Sequence, residues 1–152
     1  MRKRILLALL PVFILMVPVA SASTRTTASG SFTAGEPSNV QTRSAGGNTF
    51  ISYDITFSLT SDISGTCAGS ETGIVHPDGS LTLQGTCTFN GSIGQESGTA
   101  DLRFNGSGAS ASLTGHFVNT NSNGGLAGLH LRGTFLSTQP NSGSYTATFH
   151  FE

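Results

Sequence analysis

Glu71 lies in the run Ser70-Glu-Thr-Gly-Ile-Val75, where small or apolar residues alternate with hydroxylic ones. In an extended strand such alternation sends successive side chains to opposite faces. Glu71 then shares a face with Ile63, Cys67, Gly73 and Val75. The hairpin expected with Ile51 to Leu59 sets Ile51 opposite Glu71 and Tyr53 one step along the same face. A carboxyl on an apolar face has its charged form disfavoured and its pKa raised. That suits a general acid or base in an isomerase or cyclase, with Tyr53 beside it. The competing expectation is a Glu71 at a rim, solvated or simply bonded to the Tyr53 hydroxyl.

Two further groups carry chemistry. His130 and His150 fall opposite each other in the last hairpin, with His116 about one diagonal step away, a set of imidazoles that suggests a metal. Their face also carries Thr114, Arg132, Thr146 and Thr148, the composition of a solvated exterior, and the Arg132 cation opposes another cation. The expectation is therefore no metal and no cofactor. Cys67 and Cys87 have no second CxxC or HxxxH to complete a zinc site, so a disulfide is expected. A plain hairpin leaves them diagonal, about 7–8 Å apart, and a disulfide wants Cα atoms within about 7 Å. A bulge or longer turn around His76 to Gly79 is expected to bring them level. No Gly-x-Ser-x-Gly turn precedes a helix, and Gly124-Gly125 lacks the Lys of a phosphate loop.

These groups must be held by strands. Beyond Ala22, Ser, Thr and Gly contribute 20 residues each, and strong helix formers are sparse, which favours an all-β chain with many turns. The same stretch carries four arginines, no lysine and eight acids, a net charge of −4 with His neutral. Nucleic acid and anionic membrane surfaces are thereby excluded as partners, because both need clustered cations. Residues 1–22 have the layout of a secretory signal peptide: Met1-Arg-Lys-Arg4, an apolar run from Ile5 to Ala20 broken by Pro11 and Pro18, and Ala20-Ser-Ala22 for cleavage. The run is short of the roughly 20 residues a spanning helix needs. The expected product is one domain, residues 23–152, secreted or periplasmic, with no stable membrane insertion after cleavage.

Period-two alternation predicts about eight strands, each antiparallel to its sequence neighbour. Turns are expected at Thr60-Ser61-Asp62, at His76 to Gly79, at Asn90-Gly91, at Gly106-Ser107 and around Pro140. The last of these sets Phe135 opposite Tyr145, Gly133 opposite Ala147, Leu131 opposite Phe149 and Leu129 opposite Phe151. The turn at Gly106-Ser107 sets Phe104 opposite Ala109, and that at Asn90-Gly91 sets Leu81 opposite Ala100. Such a series closes into an eight-stranded antiparallel up-and-down β-barrel, with a two-sheet β-sandwich as the alternative. The inward face then carries Ile51, Tyr53, Ile55 and Phe57, then Leu83, Leu102, Leu113 and Phe117, and finally Leu131, Phe135, Tyr145 and Phe149.

The stretch Gly124-Gly-Leu-Ala-Gly-Leu-His-Leu-Arg-Gly-Thr-Phe135, followed by Ser144-Tyr-Thr-Ala-Thr-Phe-His-Phe151, resembles the closing motif of the DUF3224 family of small bacterial proteins. That family is similar to the allene oxide cyclase barrels and, more distantly, to plant dirigent proteins. Leu131 departs from the pattern, where the family usually shows Gly. The resemblance implies an eight-stranded antiparallel barrel. It brings no activity, because no cyclase or dirigent catalytic residue matches a position here.

The functional expectation is a barrel that takes a small apolar molecule inside or at its mouth, through the twelve lining residues just named. An isomerase or cyclase using Glu71 and Tyr53 is the enzymatic alternative. A filled barrel acting as an extracellular structural or interaction module through its Ser/Thr/Asn-rich exterior is the third.

Overall fold

The computed structural model describes residues 24–109, 112–139 and 141–152, and the expected leader, residues 1–22, lies outside the described residues. Nine strands make up all the regular structure among them: β1 (Thr26–Ala34), β2 (Ser38–Ala45), β3 (Asn48–Ser61), β4 (Ile63–Val75), β5 (Ser80–Ile93), β6 (Glu96–Ala109), β7 (Ser112–Gly124), β8 (Leu129–Gln139) and β9 (Ser142–Phe151). From β2 to β9 each strand pairs antiparallel with its sequence neighbour, and β1 bonds both β9 and β3 to close the ring. That closure makes the fold an eight-stranded barrel and disposes of the sandwich alternative. The ninth strand, β2, is an addition to the expected eight. It continues the line of β1 along β3 after a break at residues 35–37, bonds only the first half of β3, and is exposed throughout. Its residues lack apolar alternation, so pairing with the β3 edge, rather than burial of a face, makes it a strand.

The barrel is steeply staggered. The cross-strand row Ile51, Gly73, Leu83, Gly106, Gly115, Phe135, Tyr145, Gly30 returns to β3 at Ser61, ten residues beyond its start. Strand number and stagger together set the tilt and width of a barrel. A stagger of 8 belongs to eight-stranded barrels filled by side chains, so ten leaves a wider interior.

Of the twelve residues expected to face inward, all but Ile51 line the cavity or are buried in the core, but several turns sit elsewhere. The Thr60–Asp62 turn, the His76–Gly79 turn and the last hairpin stand as expected, the last with Phe135 opposite Tyr145 and Leu131 opposite Phe149. Asn90-Gly91 and Gly106-Ser107 are not turns. They lie inside 14-residue strands, with Gly91 opposite Gly98 and Gly106 opposite Gly115. Leu81 consequently faces Gly108 rather than Ala100, and Phe104 faces Phe117 rather than Ala109. The β5–β6 turn instead uses Gly94, at φ +63°, a left-handed conformation that glycine adopts freely. Gly91 serves a different purpose: a Cβ there would lie 2.7 Å from the Gly65 Cα on β4. One step also separates the expected and observed partners of Glu71, which faces Tyr53 itself while Ile51 faces Gly73.

The disulfide forms, though without the expected bulge. Cys67 faces Phe89 and Cys87 faces Gly69 in an unbroken register, so the pair is diagonal, yet its Cα atoms are 5.4 Å apart. Gly69 explains this, since a Cβ there would lie 2.5 Å from the Cys87 Cα. Without that Cβ, two twisted strands approach closely enough for a diagonal bridge. Both cysteines are buried, and closing a loop of sequence separation 20 is worth on the order of 3 kcal/mol.

Glycines opposite rings recur around the wall. Phe104 faces Gly85, Phe117 faces Gly133, Phe135 faces Gly115, Phe32 faces Gly143 and Tyr145 faces Gly30. In each case an added Cβ would collide with the facing ring. The rings lean across the neighbouring strand because that strand has no side chain there.

The two ends differ. At the end made by the β4–β3 and β5–β6 turns, Ile63, Phe89, Ile93, Leu129 and Phe149 are buried, and Leu126 of the 125–128 turn is fully enclosed as a plug. The Leu126-Ala-Gly-Leu129 segment of the sequence motif is this plug. Beside it, the Asn119 amide donates to the Leu129 carbonyl at 2.7 Å and accepts from the Leu131 N–H at 2.6 Å, replacing the β7–β8 ladder that stops at Val118. The Tyr145 hydroxyl accepts from the Ile63 N–H at 2.9 Å and points its proton at the Thr60 and Ile63 carbonyls, tying β9 to the β3–β4 turn.

Gly133→Ala tests the ring-on-glycine packing. Its new Cβ would sit 2.6 Å from both a Phe117 ring carbon and the Thr146 carbonyl oxygen, so the expected loss is about 1–3 kcal/mol. Chemical denaturation measures it. Adding Phe117→Leu is expected to recover only part, because the carbonyl clash stays.

Candidate functional site

In the half of the barrel away from the Leu126 plug, the inward side chains are half-buried, and they surround a cavity of about 220 Å³. Phe57 packs edge-on against Phe32 and Phe104, with ring centroids 6.2 and 5.6 Å apart, and Phe32 makes the same contact with Phe135 at 6.1 Å. These contacts fix the cavity wall, and Cys67, Cys87 and Leu102 extend it toward the plugged half. Ala34, Leu81, Ala109, Leu113, Gln139 and Asn141 lie at strand ends on the mouth side.

Of the twelve residues assigned to the interior from sequence, Tyr53, Ile55, Phe57, Leu83, Leu102, Leu113, Phe117, Phe135 and Tyr145 line this cavity. Leu131 and Phe149 are buried in the plugged half, and Ile51 lies on the β3 segment paired with β2, outside the cavity lining. Phe32, Leu59, Leu81 and Phe104 line it as well and were not anticipated. Phe104 was legible by parity, and its place at the wall follows from the longer β6. Phe32 comes in through the closure of β1 on β3, which no local pattern announces.

Glu71 is the one charged or polar residue buried among the described residues, at 7% exposure, and it lines the cavity. The Tyr53 hydroxyl donates to its Oε1. No other described side chain or backbone group bonds Glu71, and no buried side-chain oxygen is left without a partner. Glu71 itself lines the cavity. Burial pushes the Glu71 carboxyl above the usual carboxylate range, against the smaller opposing effect of the Tyr53 bond. Burial, and then the bond to Glu71, hold the Tyr53 phenol protonated far above its ordinary range. Gly85, on the other side of Glu71, leaves room for the Phe104 ring. The result is an acid with a fixed donor on one oxygen, set in the wall of an aromatic cavity.

The imidazoles are arranged differently. His130 and His150 do face each other, stacked with centroids 4.8 Å apart, but their third neighbour is Glu152 and not His116. Glu152 Oε1 lies 3.3 Å from His130 Nε2 on the exposed exterior. The rings are within 8° of parallel, so their lone pairs do not converge on one point as a tetrahedral ion requires. The arrangement as it stands is a solvated cross-strand pair.

No protein-family model matches this chain, and no curated protein matches it. A solved structure does. A protein of unknown function from the DUF3224 family of Shewanella oneidensis MR-1 superimposes with a TM-score of 0.70 at 18% identity, over 86% of this chain and 98% of that one. At that identity the likeness is one of fold, and it is the barrel architecture that the two share.

The Glu71 environment makes stability depend on pH in a defined sense. The folded state holds the Glu71 proton more tightly than the unfolded chain, so its contribution is full below the unfolded value of about 4.5 and is lost as pH rises through the folded value. Glu71→Gln is neutral throughout and still accepts from Tyr53. It is expected to melt higher than the parent at neutral pH, with the gap closing as pH falls toward 4.5. Thermal melts across that range check the sign.

Proposed function

We propose that the protein is an exported barrel of the DUF3224 type that binds a small apolar molecule in the open half of its interior. The observation that carries this reading is the division of the barrel: one half packed and plugged, the other a cavity of about 220 Å³ walled by aromatic and aliphatic side chains. A cavity of roughly 150 Å³ lined by such residues stays dry and takes up benzene, and pockets for drug-sized molecules start near 300 Å³. The ligand class is therefore a single ring or a short branched chain, smaller than a fatty acid. The disulfide is compatible with an oxidising compartment, and the cationic, apolar and small-residue segments of residues 1–22 support export. A likeness to allene oxide cyclases and dirigent proteins is part of the same proposal, through the motif that resembles the DUF3224 family. Toluene or indole titrated against the purified protein is expected to bind saturably, with Kd on the order of 10 μM to 1 mM for so few atoms. Leu113→Trp, at the mouth, is expected to abolish that binding while the protein stays folded. Binding that is unsaturable, or unchanged by the tryptophan, would sink the cavity reading.

The enclosed Glu71 with its Tyr53 donor supports a second reading, an isomerase or cyclase in which the carboxyl moves a proton on a bound carbon acid. Deuterium taken up from solvent into a bound unsaturated ketone, and absent with Glu71→Gln, is the expected signature.

A further inference from the structure

We propose that the cavity ligand is a small organic ammonium ion, a primary amine on a single ring, with Glu71 as its counter-ion. The inference rests on the cavity reading above and specifies its chemistry. A buried carboxylate is stable only when paired or neutralised, and this one has no cation beside it among the described residues. All four arginines among the described residues, Arg25, Arg43, Arg103 and Arg132, are exposed, and no histidine lines the cavity. Its single hydrogen-bond partner among the described residues is the neutral Tyr53 hydroxyl, bound to one oxygen, and Glu71 itself lines the cavity. The remaining wall near it is ring: Phe104 leans over Gly85 beside Glu71, and Phe57 and Phe117 continue the surface. Aromatic faces carry negative potential and favour a cation, so wall and carboxyl select the same charge. A neutral alcohol would gain one hydrogen bond from Glu71 but leave its charge uncompensated. An anionic ligand would meet repulsion from the carboxylate and no basic group.

A matched trio decides the point: toluene, benzyl alcohol and benzylamine, titrated by calorimetry near neutral pH, where benzylamine is cationic. Benzylamine is expected to bind about tenfold or more tighter than benzyl alcohol, equivalent to about 1.4 kcal/mol or more. Glu71→Gln should erase that preference, with near-ultraviolet circular dichroism showing that the barrel is still folded. Tyr53→Phe removes the competing donor and should keep or enlarge the preference. Equal binding of alcohol and amine, or a preference that survives Glu71→Gln, overturns the ammonium assignment and leaves the cavity reading standing. Failure of all three ligands to bind overturns both.

Discussion

A ring on one strand facing a glycine on the next is the contact that the rest of this barrel depends on. Phe104 on Gly85, Phe117 on Gly133 and Phe135 on Gly115 each place a large side chain flat along the wall instead of across the interior. A barrel wall with a stagger of ten is wide, and filling it with rings pointing straight in would leave either voids or clashes. Laying them over glycines disposes of their bulk, lets the strands bend, and keeps space in the centre. The glycines weaken their strands individually, and the rings that cover them restore the contact area.

Space is then distributed unevenly. Toward the Leu126 plug the inward residues are apolar and buried, and two polar ties, the Asn119 amide on β8 and the Tyr145 hydroxyl on the β3–β4 turn, supply backbone partners where strand pairing ends. An unsatisfied buried backbone group costs about 1–3 kcal/mol, so these ties are what permit the ladder to stop without opening the wall. Toward the other end nothing plugs the barrel among the described residues, and the disulfide between β4 and β5 holds the wall where Gly69 lets the strands approach. The packed half is a rigid base and the open half is the part that has room for a guest.

Glu71 stands at the junction of these two regimes. Cross-strand neighbours on either side, Tyr53 and Gly85, determine its state: one supplies a donor for a single oxygen, the other makes way for the Phe104 ring and removes water. A carboxyl so placed has more electrostatic leverage on a ligand than any of the seven other acids, which lie on exposed or solvated positions. The low dielectric that raises the cost of its charge also strengthens its attraction for a compensating one.

Parity was legible in the sequence for every expected strand up to the bulge at Thr120, but not for β2. Alternation put Glu71, Tyr53, both cysteines and the rings of the cavity wall on one face, and most of the Thr, His and Arg residues on the other, because successive side chains of a regular strand point to opposite sides. The final hairpin was legible to the residue for the same reason, since large opposed aromatic and small opposed small. Register elsewhere was not, because glycine has two uses that look identical in a sequence. Asn90-Gly91 and Gly106-Ser107 have the composition of tight turns, yet in the folded chain their glycines lie where neighbouring strands or rings press close. Which use applies depends on what stands on the adjacent strand, and only the closed wall establishes that. The same closure brought Phe32 and Phe104 to the cavity, made β2 a strand, brought a diagonal pair of cysteines within bonding distance without a bulge, and set Tyr53 directly against Glu71. Each is a distance between residues far apart in the chain, set by stagger and twist rather than by local preference.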